Sequence, residues 1–164
     1  MMIDTPRLTL RQFQLKDLSS LHYYRNHPVC KKFQNWEDTT LEELDVFIKS
    51  NMQRSVRDQQ MQIALALKET NELVGDIFLA KKGKTITLGF TTSPHFQRQG
   101  YMFEALSHFI PYLQDLFPVS DIICLIHPGN IASEHLVAKL HFEKEGYIDE
   151  FDSNVFVLKA KQQN

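Results

Sequence analysis

The chain has 164 residues, of which 43% are hydrophobic and 23% charged, and its formal net charge is -2. This length suits one domain, residues 1–164, with a substantial core, and the charge excludes a general attraction to nucleic acid. Cys30 and Cys124 lack CxxC or CxxH spacing, which favours reduced thiols. The sequence shows no apolar leader and no apolar run long enough to span a membrane, so a cytoplasmic protein is expected.

The first half of the chain predicts a strand, two helices and a three-stranded meander. Imperfect apolar alternation indicates a strand over 7–14, and residues 16–25 look helical. Thr40 followed by Glu43 matches a capping box that opens a helix over 40–57. Alternating apolar residues then predict three strands joined by turns, over 61–67, 73–80 and 85–93.

The strongest helical period in the chain begins at residue 102. Its apolar residues share one helix face: Met102, Ala105, Leu106, Phe109, Ile110 and Leu113. Residues 121–127 are almost wholly apolar and predict a strand buried on both faces beside parallel neighbours. Asn130 can cap a last helix through about Leu140, and two extended segments follow within 142–159. The layout predicts a mixed α/β fold.

The connection into the long helix, SPHFQRQGYMFEAL, concentrates the chemistry of the sequence. Gly100 lacks a Cβ, so backbone N–H groups there can approach a bulky anion closely. At a helix start these groups have no intrahelical partner and the helix dipole favours negative charge, so a pyrophosphate would fit. The motif alone is weak, because a glycine among solvated loop residues also suits an ordinary helix start.

Two ordered motifs resemble the GNAT acetyltransferase superfamily. Gln97, Gly100 and Met102 match its Q/R-x-x-G-x-G/A signature, with Met102 in place of the final small residue, where its bulk would crowd or shift the loop. GYMFEAL is similar to the GYxxEAL of the Rim-type branch, which contains the ribosomal-protein N-terminal acetyltransferases. Further on, NIASEHLVAKLHFEKEGY resembles the N-x-x-S, K-L-G-F and E-G stretch of the family. The opening TPRLTLRQFQLKDLSSLHYYRNHPVCKKFQNW resembles the same branch, so the likeness covers nearly the whole chain.

The resemblance implies a GNAT fold, with a central, mostly antiparallel mixed sheet that splays at the acetyl-CoA site and has helices on both faces. It also implies acetyl-CoA as cosubstrate and direct attack by an acceptor amine, without a protein nucleophile. A backbone N–H within Phe90–Thr92 would polarise the acetyl carbonyl. The implied coenzyme-binding residues are Phe90, Thr91, Thr92, Gln97, Arg98, Gln99, Gly100, Tyr101, Met102, Phe103, Asn130 and Ser133.

Ser133 is the candidate catalytic residue. With Asn130 as cap, it shares a helix face with Val137 and points inward. A serine in this position also commonly bonds a nearby backbone carbonyl. Many GNAT enzymes carry a tyrosine on this helix, but the matching position here is Val137. Because the Rim-type branch has a serine on the first turn, the resemblance implies that Ser133 hydrogen-bonds the coenzyme sulfur.

The general base is not identified by the sequence. An ammonium group cannot attack a thioester, so a base must accept its proton. The available carboxylates are Asp76, Glu104, Glu143 and Glu145, of which Glu104 equally suits support of the loop. His141, where the family usually has glycine, is more simply a cation at a helix end than an acid or base. The seven histidines lack ligand spacing, so no metal is predicted.

An N-acetyltransferase acting on a primary amine is therefore expected. A protein or peptide N-terminus is preferred as acceptor over a polyamine, amino acid or aminoglycoside, because the likeness is to the Rim-type branch. Two alternatives stay open. One is a CoA-binding module without transfer activity, suggested by Met102, His141 and the missing tyrosine, and the other is a protein-interaction domain without coenzyme. The expected assembly is a monomer or homodimer that binds neither nucleic acid nor membrane.

Overall fold

Within residues 3–34 and 36–162, which the computed structural model describes, eight strands form one sheet. The strands are β1 (Ile3–Asp4), β2 (Leu8–Arg11), β3 (Gln60–Leu67), β4 (Leu73–Lys82), β5 (Thr85–Thr92), β6 (Asp121–Ile126), β7 (Glu143–Ile148) and β8 (Ser153–Leu158). The helices are α1 (Leu18–Arg25), α2 (Pro28–Lys31), α3 (Leu41–Asn51), α4 (Tyr101–Leu116) and α5 (Ile131–Lys139). In this described part, no helix is long and apolar enough to cross a bilayer.

The sheet is mixed but mostly antiparallel. Its strand order is β1-β2-β3-β4-β5-β6-β8-β7, and among these neighbours the pair β5 and β6 is parallel. The three meander strands, the crossover helix α4 and the two terminal strands follow the predicted order, so the expected α/β fold class is confirmed. The last hairpin folds back so that β8, rather than β7, pairs with β6.

Helix α4 packs on one face of the sheet. All six residues of its predicted apolar stripe are buried, with Phe109 and Leu113 fully so. Each fully buried side chain of this size stabilises the fold by about 1.5–3 kcal/mol. They join the main core with buried residues of the central strands. This packing fixes the position of α4, whose start follows the end of β5 after a loop at 93–100.

Helices α1 and α3 lie on the opposite face, over β2, β3 and β4. Their buried residues form a second cluster with Phe13, Ala64 and Leu73. The Arg11 guanidinium donates to the buried Asp17 carboxylate, with 2.8 Å between Nη1 and Oδ2, which ties β2 to the turn before α1. Both partners are nearly inaccessible to solvent, so loss of either one would leave a buried charge without a partner.

Two predicted elements end earlier than expected. The strand predicted over 7–14 stops at Arg11, because Gln14 caps a 3-10 turn and its N–H donates to Asp17. The helix predicted over 40–57 begins as expected, since Thr40 accepts from the Glu43 amide at 3.1 Å. It stops at Asn51, whose buried side chain accepts from the Gln62 backbone N–H at 2.8 Å. This bond joins the helix end to β3.

The predicted environment of β6 is also wrong in part. Residues 122, 124 and 126 are buried, whereas 121, 123 and 125 are only half-buried. One neighbour, β5, is parallel, but the other, β8, is antiparallel. The reason is that the second cluster covers β3 and β4 without reaching β6, so this strand has one covered and one accessible face.

Candidate active site

The parallel strands at the centre of the sheet separate before either strand ends. Strands β5 and β6 pair only as far as Leu88 and Cys124, although β5 continues to Thr92 and β6 to Ile126. Beyond the last pair, the facing edges of β5 and β6 have no ladder partner among the described residues, so their backbone N–H groups can bind another molecule, whereas the Thr92 carbonyl is already occupied by protein donors. This is the splay that the family resemblance implied.

The backbone direction of β5 decides which amides face this gap. The Ser93 N–H donates to the Val74 carbonyl at 2.8 Å, towards β4. Because alternate residues of a strand direct their N–H groups to opposite neighbours, the Phe90 and Thr92 amides face the gap and the Thr91 amide faces β4. Three backbone N–H groups were proposed to polarise the acetyl carbonyl. Those of Phe90 and Thr92 are therefore directed into the gap, and that of Thr91 is not.

The loop between β5 and α4 has a backbone suited to an anion. The φ angle is negative at Gln97, +64° at Arg98, negative at Gln99 and +79° at Gly100. The positive φ angles at Arg98 and Gly100 turn the chain sharply into α4, whose first N–H groups have no intrahelical partner, and such a helix start favours an anion. The Gln97 side chain donates to the Thr92 carbonyl at 3.0 Å and holds the loop against the end of β5.

Helix α4 begins immediately after this turn, with Gly100 as its N-cap residue. Tyr101 and Phe103, both proposed to bind coenzyme, are half-buried at the loop end of the helix. Met102 is 6% exposed and packs in the main core. Its bulk, where the family signature has a small residue, is therefore taken up by the core beneath the helix.

The segment between β1 and β2 clamps the loop. The Glu104 carboxylate accepts from Thr5 Oγ1 at 2.5 Å, from Arg7 N at 2.8 Å and from Arg7 Nε at 2.7 Å. The same guanidinium donates to the Gln99 carbonyl at 3.0 Å and lies 4.3 Å from the centre of the Tyr101 ring. Burial alone would raise the pKa of Glu104, but the hydrogen bonds from Thr5 and Arg7 hold it below the ordinary value.

The sequence left two roles open for Glu104, general base and support of the loop. These contacts favour support of the loop. Arg7 was not singled out by its pattern in the sequence. The only signal was its place in the opening segment TPRLTLR, which resembles the Rim-type branch, and its partner lies 97 residues away.

Helix α5 starts as predicted. The Asn130 Oδ1 accepts from the Ser133 amide at 3.3 Å, and Val137 is fully buried on the same helix. Ser133 is half-buried, and its hydroxyl makes no hydrogen bond to any described residue. The bond to a nearby carbonyl, which was the alternative for an inward serine, is not formed. His141 follows the helix with a φ of +73°. Glycine adopts this left-handed conformation readily, which explains why the family usually has glycine at this position.

A short segment around α2 joins the two sides of the gap. The Cys30 thiol lies 3.5 Å from the Thr92 carbonyl, at the end of β5. The Phe33 ring packs against His127, just beyond β6, with 5.2 Å between ring centres. A Cβ on Gly129 would be only 3.1 Å from the Phe33 ring, so the glycine allows this contact. The sequence did not predict α2 or its position beside the splay.

His127 has both ring nitrogens engaged. Its Nδ1 accepts from the Gly129 amide at 2.9 Å, and its Nε2 lies 3.1 Å from Asp152. Since Nδ1 acts as acceptor, the hydrogen-bond network assigns the proton of the neutral ring to Nε2. The Tyr147 hydroxyl donates to the same carboxylate at 2.6 Å. His127 therefore has no free lone pair and connects the end of β6 to the β7–β8 turn.

The four carboxylates considered as general bases lie in different surroundings. Asp76 is 3% exposed, accepts from the Tyr24 hydroxyl and from Gln62 Nε2, and pairs in register with Thr91 beside the splay. Burial and the Asp76 charge raise the pKa of Tyr24 well above its usual value. Glu104 belongs to the clamp, and the remaining two, Glu143 and Glu145, are exposed on β7. Among described residues, no group of three or more His, Cys, Asp or Glu side chains could hold a metal ion.

Comparison with known proteins gives consistent matches. A family model described as an acetyltransferase (GNAT) domain matches residues 7–143. The uncharacterized N-acetyltransferase YnaD of Bacillus subtilis is 26% identical over 149 residues, which cover 90% of this chain and 85% of that protein. The [ribosomal protein uS5]-alanine N-acetyltransferase of Escherichia coli is 39% identical over 64 residues, 39% of this chain and 33% of that enzyme.

A solved structure extends the likeness over the whole fold. It is that of RimL, a ribosomal L7/L12 α-N-protein acetyltransferase, in complex with coenzyme A. The TM-score is 0.83 at 18% identity, and the match covers 98% of this chain and 99% of that one.

Proposed function

Because the chain belongs to the GNAT acetyltransferase family, whose members use acetyl-CoA, we propose that this N-acetyltransferase modifies the α-amine at a protein or peptide N-terminus. The proposal has two parts, which rest on different observations. The position of the cosubstrate rests on the geometry of the loop and the splay. The choice of acceptor rests on similarity to ribosomal-protein acetyltransferases.

The turn at 98–100 and the first turn of α4 suit the pyrophosphate of the cosubstrate. The N–H groups of Arg98 to Phe103 belong to a turn with two positive φ angles and to the start of a 16-residue helix, whose dipole favours negative charge there. Any other residue at position 100 would place its Cβ 3.4 Å from Arg7 Nη2. It would also have to adopt a left-handed backbone conformation. Gly100→Val should therefore weaken acetyl-CoA binding strongly, and calorimetry that gives the folded variant the affinity of the parent would contradict this position for the pyrophosphate.

The two sides of the splay carry the remaining groups. Acetyl-CoA supplies an acetyl group activated as a thioester. The Phe90 and Thr92 amides face the gap and can donate to an oxygen that gains negative charge. Ser133, on the first turn of the helix that follows β6, has a hydroxyl with no hydrogen-bond partner among the described residues and can donate to the departing sulfur. Placement of both reactants between these groups accounts for much of the rate that such enzymes achieve.

The acceptor proposal is carried by the 64-residue run that is 39% identical to the uS5-alanine enzyme. Similarity of fold to RimL, whose acceptor is also a protein α-amine, supports it. Chemistry adds a constraint, because only a neutral amine can attack. An N-terminal amine, with a pKa of about 7.7–8.0, loses its proton far more readily than a lysine with a pKa of about 10.4.

A panel of three peptides tests the acceptor. The first has a free N-terminus and one lysine, the second has the same sequence with the α-amine blocked, and the third has only the lysine blocked. Thiol release and the mass of the product are measured with each peptide, and with polyamines, amino acids and aminoglycosides as comparison. Acetylation should disappear only when the α-amine is blocked.

Other outcomes identify the alternatives. Continued acetylation of the α-blocked peptide, or turnover confined to small amines, would refute the N-terminal acceptor. Retention of acetyl-CoA without thiol release from any amine would favour a binding module that lacks transfer activity.

A further inference from the structure

The face of the sheet opposite α4 is only partly covered by helices. From the sheet, the second cluster under α1 and α3 takes in Ala64 of β3 and Leu73 of β4. Further across this face lie half-buried apolar side chains that belong to neither core cluster: Phe78, Ile123, Leu125 and Val155. Their neighbours along the strands, such as Ile77, Cys124 and Phe156, join the main core under α4, so these four side chains share the opposite face. We call these four residues the open face.

Gly89 lies within the open face, at the start of the splay. It is opposite Phe78 on β4, and it directly follows the last residue of β5 that pairs with β6. Leu125 holds the same place on β6, and it is opposite Val155 on β8. Four strands therefore place Phe78, Gly89, Leu125 and Val155 in one row. Because Gly89 and Leu125 are the first unpaired residues of their facing edges, the open face borders the gap directly.

Packing among the described residues does not account for a glycine at position 89. A Cβ there would lie 3.5 Å from the Phe78 Cβ, an ordinary van der Waals contact, and the φ of Gly89 is outside the left-handed region. At Gly75, by contrast, a Cβ would lie 2.1 Å from the Thr91 carbonyl oxygen. A glycine inside a strand is less stable than alanine, and it often marks a place where a ligand or another backbone approaches closely. The space above Gly89 therefore suits the backbone of a bound molecule.

The surroundings of the gap leave the open face as the approach for an acceptor. On the other face of the sheet, the main core and α4 cover the central strands. At the far end of the gap, the segment around α2 contacts both Thr92 and His127. An attacking amine must come within about 3–3.5 Å of the thioester carbon. An acceptor would therefore cross the open face between the α2 segment and the last paired residues of β5 and β6.

We propose that the acceptor polypeptide crosses the open face with its backbone over Gly89, and that its second or third side chain packs on Phe78 and Leu125. The enzyme would then prefer an apolar residue at these acceptor positions. The inference rests on the proposed function, since it requires a polypeptide acceptor. Contact with the open face removes apolar surface from water. A polar side chain placed there would lose water without gaining a hydrogen-bond partner from these apolar residues, which disfavours it.

The peptide test changes the second and third acceptor residues together, because alternate side chains of an extended chain face opposite sides. Three peptides carry valine, threonine or aspartate at both positions and are otherwise identical. Threonine has nearly the shape of valine, with a hydroxyl in place of one methyl group. The kcat/KM should be about three- to tenfold higher for the valine peptide than for the threonine peptide, and lowest for the aspartate peptide. The preference for valine over threonine should persist in about 0.5 M salt, because salt screens charges rather than apolar contact.

Added volume over Gly89 locates the acceptor. Gly89→Ala should lower kcat/KM for the valine peptide about threefold and Gly89→Val about tenfold or more, while the Kd of acetyl-CoA changes less than about twofold. The matched control is Gly146→Val on the edge strand β7, where a Cβ would meet nothing within 4 Å, and it should change neither value. Leu125→Thr should reduce the preference for valine over threonine to about twofold or less. Urea unfolding checks the fold of every variant, and Gly89→Ala should be at least as stable as the parent.

Several results would overturn the inference. Acetylation of all three peptides with equal kcat/KM would refute the apolar preference and leave the N-terminal function intact. A folded Gly89→Val with the kcat/KM of the parent would refute the path over Gly89, and a destabilised Gly89→Ala would show that the chain itself uses this space. A dimer in sedimentation that Gly89→Val dissociates would assign the open face to a second copy. If no peptide is acetylated, the proposed function itself fails, and the inference about the open face fails with it.

Discussion

Replacing Glu104 with glutamine tests whether the β1–β2 segment positions the coenzyme loop. The carboxylate accepts at Oε2 from Thr5 Oγ1 and Arg7 N, and at Oε1 from Arg7 Nε. A glutamine that keeps its oxygen at the Oε2 position presents its NH₂ group to Arg7 Nε, so that a donor meets a donor. Arg7 should then turn away, and the Gln99 carbonyl should lose its partner.

The size of the effect follows from the exposure of the partners. A hydrogen bond to a charged group contributes about 1.5–3 kcal/mol. The Arg7 side chain is 44% exposed and that of Glu104 14%, so solvent reduces the ion-pair part to about 0–1 kcal/mol. We expect the free energy of unfolding to fall by about 1–2 kcal/mol. If binding has to restore the order of the loop at the same cost of about 1–2 kcal/mol, the Kd of acetyl-CoA rises about five- to thirtyfold.

Urea unfolding measures the first quantity and titration calorimetry the second. Glu145→Gln is the matched control, because this carboxylate is 41% exposed on β7 and lies 3.7 Å from Lys159, away from the loop. It should change neither value by more than about 0.5 kcal/mol. An unchanged Kd for acetyl-CoA in Glu104→Gln would refute the positioning role of the clamp, whatever happens to stability.

The pH dependence of stability gives a separate readout of the same residue. Despite the opposing effect of burial, the hydrogen bonds from Thr5 and Arg7 lower the pKa of Glu104 in the folded protein. A carboxyl with a lowered folded pKa adds stability that is fully present above its ordinary pKa and is lost as pH falls through the folded value. The stability difference between parent and Glu104→Gln should therefore be largest at neutral pH and shrink in acid. A difference that stays constant into acid would contradict this ionic contribution.

Three further predictions follow from other sites. A Cβ at Gly75 would lie 2.1 Å from the Thr91 carbonyl, so Gly75→Ala should cost about 3 kcal/mol or more in urea unfolding, and a variant as stable as the parent would contradict the packing of β4 on β5. Ser133→Ala should lower kcat about tenfold with little change in the Kd of acetyl-CoA, because a bond to the sulfur strengthens as charge develops; an unchanged kcat would remove Ser133 from the reaction. Burial, assisted by the charge of Asp76, raises the pKa of Cys30 to about 11, and burial raises that of Cys124 to about 12. Both thiols should react slowly with a disulfide reagent at about pH 8 until urea is added, and rapid labelling of the folded protein would contradict their burial.

Local features of this protein could be predicted from the sequence. The apolar stripe of α4 has a strict helical period, and the caps Thr40 and Asn130 lie next to the helices that they open. Hydrogen bonds of caps and turns join residues three or four apart, so their partners are visible in a short window of sequence. The sharp turn into α4 was predicted for the same reason, since Gly100 lies directly before the helix and adopts a φ of +79° there.

Contacts between distant segments were decided only by the tertiary structure. The bond between Arg7 and Glu104 joins residues 97 positions apart, the Cys30 thiol reaches Thr92 across 62, and β8 pairs with β6 in place of β7. The direction of the Phe90 and Thr92 amides into the splay also depends on which strand pairs with which edge of β5. None of these has a periodic or adjacent signal in the sequence, because each arises when separately formed elements pack and bring together polar groups that need partners.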